Sequence, residues 1–138
     1  MPSVLNILAM HRSEQLQVEL AADREKKAEE AKAQRIEALR QQEYELQHKC
    51  AKIEGWENFN AWYLSDAVPD PMSTAERIEL VREHLKGLVE KAGTKLGEAW
   101  QAKFDAEDAG ATAEQMKKID RKVETAGKKY LKAWRMNQ

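Results

Sequence analysis

One cysteine, Cys50, is all the chain has, so no disulfide can form within it, and a lone thiol suits a reducing compartment. Proline is nearly as scarce: there are three in 138 residues, and none between Ser3 and Glu54. The same 52-residue stretch also lacks glycine, so nothing in its local chemistry interrupts a helix. No run approaches the ~20 consecutive apolar residues that a membrane span requires. The start, Met1 to Leu8, has neither the basic segment nor the apolar length of a signal peptide. Strand signals are missing too, because no period-2 run of β-branched residues occurs. These absences lead to the expectation of an all-α, cytoplasmic protein.

What fills Ser13 to Glu54 is almost wholly Glu, Lys, Ala, Gln, Arg and Leu, the strong helix formers. At ~1.5 Å per residue, a helix over 13–54 would be a rod roughly 60 Å long, whereas helices in compact domains average ~11–12 residues. A mean hydropathy of -0.78 is polar for a packed globule. The expected object is therefore a single elongated helical domain that works through reach and surface. Its net charge of -1 hides a polarised arrangement. Residues 23–54 balance 8 cations with 8 anions, residues 55–112 carry 6 against 11, and residues 113–138 carry 8 against 3. Such asymmetry suits an intramolecular pairing, a head-to-tail oligomer or an acidic partner for the last helix.

Four segments follow from the patterning. Residues 1–12 form an apolar N-terminal patch (Val4, Leu5, Ile7, Leu8, Met10) that either starts the long helix or folds back. In the long helix, 13–54, Leu16 and Leu20 are neighbours. Further on, Ile36, Leu39, Leu46, Cys50 and Ile53 sit on an a/d-like track. Asp23 to Gln34 offers only alanine for burial, so the expected seam is thin, with one partner helix. Gly55 ends the rod, and 55–72 is an aromatic and proline-bearing connector. It carries a short helix and an extended or turned Asp66–Pro71 segment. Ser73-Thr74-Ala75-Glu76 reads as a capping box. The apolar positions Ile78, Val81, Leu85, Leu88, Ala92, Leu96, Ala99, Trp100 and Phe104 then predict a helix over about 74–108. Ala109-Gly110-Ala111 is a turn, Thr112 to Gln115 a second box, and Met116, Ile119, Val123, Ala126, Tyr130 and Ala133 mark a helix over about 113–136. Residues 73–138 are thus a helical hairpin, and the long helix is expected to pack against it in antiparallel, coiled-coil-like fashion.

No constellation carries chemistry. Glu45-Leu46-Gln47-His48 matches half of a di-iron bundle motif. The residues three before His84 and His11 are Val81 and Leu8, so no second half exists. His48 and Cys50 point to different helix faces. No serine or cysteine has a base and an orienting group by sequence, and no Gly-rich loop follows a strand. The expectation is no catalytic residue, no metal, no cofactor and no enzyme activity. Gly93 and Gly97 read as a site of close helix crossing.

Two clusters remain. Trp56, Phe59, Trp62 and Tyr63 place four of nine aromatic residues within eight positions. They are either a plug at the turn of the hairpin or a partner-binding anchor, since tryptophan and tyrosine dominate interface energies. Lys128, Lys129, Lys132 and Arg135 crowd the last helix beside Tyr130 and Trp134, as a solvated flank, a contact for an acidic protein or a nucleic-acid contact. The overall pI near 6.3 is low for a nucleic-acid binder. The reading that follows is a non-enzymatic, homo-oligomeric protein that binds another protein as an adaptor, scaffold, chaperone-like factor or inhibitor. Nucleic-acid association through the basic helix is the alternative.

Overall fold

A computed structural model describes every residue except Met1, Pro2, Asp66, Ala67, Asp70 and Pro71. The described residues form four helices and no strand: α1 (Val4–Glu54), α2 (Trp56–Tyr63), α3 (Thr74–Asp108) and α4 (Ala113–Met136). By contacts the chain divides into two units, Met1–Leu39 and Arg40–Gln138. The apolar patch from Val4 to Met10 does not fold back; it is the first part of α1. Ser3 starts that helix, its hydroxyl accepting from the Asn6 amide at 3.3 Å. Of the expected Asp66–Pro71 connector only Val68 and Pro69 are described, and neither is helical; the remainder lies outside the described residues.

Within the first unit, every described side chain up to Ala38 is exposed, including Leu16, Leu20 and Ile36. This stretch is helical because of its composition: good helix formers lose little rotamer freedom in a helix, and no packing is needed to explain it. One ion pair joins neighbouring turns here, Lys27 to Asp23 at 3.4 Å.

The second unit is held by packing. Cys50 and Ala51 of α1, Phe59 of α2, and Val81 and Leu85 of α3 are buried together, and Leu46, Ile53, Trp62, Tyr63, Leu88 and Met136 close around them. Farther along the hairpin, Val89 of α3 and Val123 and Ala133 of α4 are buried. Each junction has a local cause. Gly55 alone links α1 to α2, with a φ of 87° that only glycine adopts freely. At the end of α3, Gly110 has a φ of 73°. Its amide donates to the Glu107 carbonyl, and the Ala111 amide donates to Ala106. These two bonds satisfy carbonyls that the helix end would leave bare.

The caps at the two hairpin helices differ. Thr112 and Gln115 make the full reciprocal box. At Ser73 the hydroxyl accepts from the Glu76 amide at 3.2 Å, but Glu76 reaches that same hydroxyl and not the backbone of the cap. The first box is therefore half formed.

The structure also corrects the stripe on α3. Val81, Leu85 and Val89 are buried, and Leu88, Ala92, Leu96 and Ala99 are half-buried, but Trp100 and Phe104 are exposed. The phase that faces α4 continues through Lys103 and Ala106, which are half-buried. Trp100 and Phe104 each follow a facing residue by one position, a rotation of ~100° that carries them outward. Gly93 does permit a close approach: a Cβ there would meet the Tyr130 ring at 3.2 Å. Gly97 faces open space, so only one of the two glycines serves the crossing.

Candidate partner-binding surfaces

The apolar track on α1 steps from Leu39 to Leu46 and skips one seam position, four residues on, which is Glu43. That glutamate is buried. Its Oε1 accepts from Arg77 Nε at 2.9 Å, from the Tyr63 hydroxyl at 2.8 Å and from Gln47 at 3.2 Å, while Oε2 accepts from Arg77 Nη2 at 3.3 Å. Arg77 also donates to the Met72 carbonyl and the Thr74 hydroxyl. Burial alone would raise the Glu43 pKa, but the hydrogen bonds from Arg77 and Tyr63, with the Arg77 charge, outweigh it and hold the carboxyl below its usual range. Burial, then the bond to Glu43, pushes the Tyr63 phenol up, so it stays a donor. The knot ties α1, α2 and the start of α3 in one register, the use best attested for a polar residue on a helical seam.

The aromatic cluster is split between two roles by the fold. Phe59 is fully buried, with the rings of Trp56, Trp62, Tyr63 and His84 around it at centroid distances of 5.6 to 6.2 Å. Trp62 is half-buried and stacks on His84 at 3.8 Å, and His84 is held by Glu54 at 2.8 Å. Tyr63 is half-buried in the Glu43 knot. Trp56 is the outward member, 46% exposed, with one edge against His48. His48 therefore packs between Tyr44 and Trp56 and is not a freely solvated side chain on the helix. Cys50 lies in the core beneath this plug, and its thiol is pushed up to about 12 by burial and then by the Glu54 charge.

Three of the four tryptophans remain outside. Trp56, Trp100 and Trp134 are each more than two-fifths exposed. Trp100 stacks on Phe104 at 5.8 Å, and Lys103 lies 5.1 Å over its ring while pairing with Asp120. Nothing in the spacing marked Trp100 and Phe104 as a surface pair, because they sit next to the core phase and differ from it only by rotation.

The four cations proposed on α4 are spread over two depressions. Lys128 pairs with Glu124 at 3.1 Å, whereas Lys129 and Lys132 line a groove of about 1000 Å³ between α3 and α4. Lys128, Lys132 and Arg135 border a second, smaller depression with Leu131 and Met136. Among the described residues no three His, Cys, Asp or Glu side chains converge on a metal position, and no helix is long and apolar enough to cross a membrane. No protein family, curated protein or solved structure matches this chain.

Proposed function

We propose that the chain is a non-enzymatic protein-binding factor, an adaptor, scaffold, chaperone-like factor or inhibitor, that presents rigid helical faces to another protein. The observation that carries this reading is the exposure of Trp56, Trp100 and Trp134 on a unit with a well-filled core. Tryptophan is among the residues most enriched where interface energy concentrates. Self-association through Val4 to Leu20 is part of the same reading. Val4, Leu5, Ile7, Leu8, Met10, Leu16, Val18 and Leu20 are exposed on one helix. Residues 4–39 carry 7 anions and 6 cations in mixed order, so a second copy meets little net repulsion. A cytoplasmic setting accords with one buried, unpaired thiol.

The test is capture from the source cell by the intact chain, compared with Trp56→Ala, Trp100→Ala and Trp134→Ala variants whose helix content and melting match the parent. Loss of a specific co-purifying protein in at least one variant supports the reading; retention in all three sinks it. Sedimentation of the parent and of a Leu5→Glu, Leu8→Glu variant over a concentration series checks self-association. Nucleic-acid binding through Lys128, Lys129, Lys132 and Arg135 has less support, because Lys128 is engaged by Glu124 and no ring lines the groove beside Lys129.

A further inference from the structure

The groove between α3 and α4 has an aliphatic floor and two cationic rims. Its half-buried floor is Leu88 and Ala92 of α3, Ala126 of α4 and Ile53 at the end of α1, and the polar Asn58 of α2 and Thr125 of α4 also line it. Lys91 and Lys95 rise from α3; Arg121, Lys122, Lys129 and Lys132 rise from α4. None of these six cations makes an ion pair with any described residue, although Arg82, Lys103 and Lys128 elsewhere on the same helices do. The one acidic side chain at the groove, Glu54, is already engaged by His84 at 2.8 Å. Six like charges thus face a shared space in which Glu54 is the one acidic side chain among the described lining residues, and an anionic occupant would relieve their repulsion.

The shape selects among anions. A single-stranded nucleic acid gains most of its non-electrostatic affinity by stacking bases on aromatic rings, and no aromatic residue lines this groove. An aliphatic floor between charged walls instead matches the mode in which an amphipathic helix lays its apolar stripe into a groove. On α4 the lining runs from Arg121 to Lys132, about three helical turns at ~1.5 Å per residue. We infer that this groove is the docking site for an acidic amphipathic helix of about three turns from a partner protein, with aliphatic residues on its buried face and Asp or Glu on both flanks. This inference rests on the protein-binding reading above and names the partner surface within it.

A fluorescein-labelled peptide of roughly 18 residues, with Leu at i, i+3, i+4 and i+7 and Glu on the flanks, is the probe. Its controls are a scrambled peptide of the same composition, a peptide with every Glu replaced by Lys, and a labelled oligothymidine of roughly 20 nucleotides. Fluorescence anisotropy should show the striped acidic peptide binding at least about tenfold more tightly than either control peptide, and weakening as salt rises from about 50 to about 300 mM. The variant Lys95→Glu, Lys129→Glu reverses one charge on each rim, and it should weaken the peptide by about tenfold or more at unchanged helix content and melting. Equal binding of striped and scrambled peptides overturns the inference, as does a charge-reversed variant that still binds normally. Tighter binding of oligothymidine than of the peptide overturns it in favour of nucleic acid. Failure of the peptide with tryptophan-dependent capture intact removes the groove alone. Peptide binding without any tryptophan-dependent capture removes the broader reading and leaves the groove.

Discussion

The described residues of 4–39 and of 40–138 are both mostly helical, yet they are helical for different reasons. In the first, the side chains are exposed and the helix rests on composition, with Ala, Glu, Lys, Gln and Arg supplying propensity and Asp23 with Lys27 a single pair between turns. In the second, helix ends are fixed by caps and by Gly55 and Gly110, and the faces are fixed by burial around Val81 and Cys50. An unpacked helix depends on propensity and length alone, whereas a packed one draws on apolar burial worth ~1.5–3 kcal/mol per large side chain. The same local structure can therefore coexist with very different sensitivity to substitution.

The sharpest way to break that comparison is one chemical change made in both places. Leu85→Ala removes a side chain from the core and should cost about 2–5 kcal/mol in urea unfolding. Leu16→Ala, made on an exposed helix face and measured at low protein concentration, should cost less than about 0.5 kcal/mol. Similar losses at both positions would mean that Leu16 is covered in solution.

Next in size is the polar knot. Glu43→Ala or Arg77→Ala leaves one charge without its buried partner and should destabilise by about 3 kcal/mol. The double variant Glu43→Leu, Arg77→Met should recover most of that loss, because it removes both charges and keeps the volume. The knot also predicts a direction with pH. The folded carboxyl titrates below its ordinary value while the unfolded one does not, so the folded state binds fewer protons in moderate acid. Its contribution is present above the ordinary carboxylate range and is lost as pH falls through the depressed value. The stability gap between the parent and Glu43→Gln should therefore close on acidification and stay constant from there to neutrality. A gap that widens in acid would contradict the ion pair.

The smallest effect is at a cap. Ser73→Ala should cost about 1 kcal/mol by removing the acceptor for the Glu76 amide. The same replacement at Ser13, exposed on the unpacked helix, should raise or barely change helix content by circular dichroism, because alanine is the better helix former.

Boundaries were legible because their chemistry is local. Gly55, Ser73, Gly110 and Thr112 act on amides and carbonyls a few residues away, so a short window of sequence contains the whole cause. Partnerships across the fold were not legible. Glu43 and Arg77 lie 34 positions apart, and the only trace of their meeting was a seam position where a leucine was due and a glutamate stood. Trp100 and Phe104 were assigned inward because a stripe stepping by threes and fours tolerates a one-residue drift that rotates side chains from buried to exposed. The groove was half visible: Lys129 and Lys132 stood out on the basic helix, but Lys91 and Lys95 join them only through the alignment of α3 with α4.

Cys50 has a practical consequence. A thiol pushed up to about 12 and sealed beneath Phe59 is almost never a thiolate at neutral pH, and thiolates are what maleimides consume. The native chain thus comes with a chemically silent sulfur. A cysteine introduced at Lys95 or Trp100 would take a dye while Cys50 stayed unmodified, so the groove and the exposed tryptophan face could each carry a reporter without first re-engineering the core.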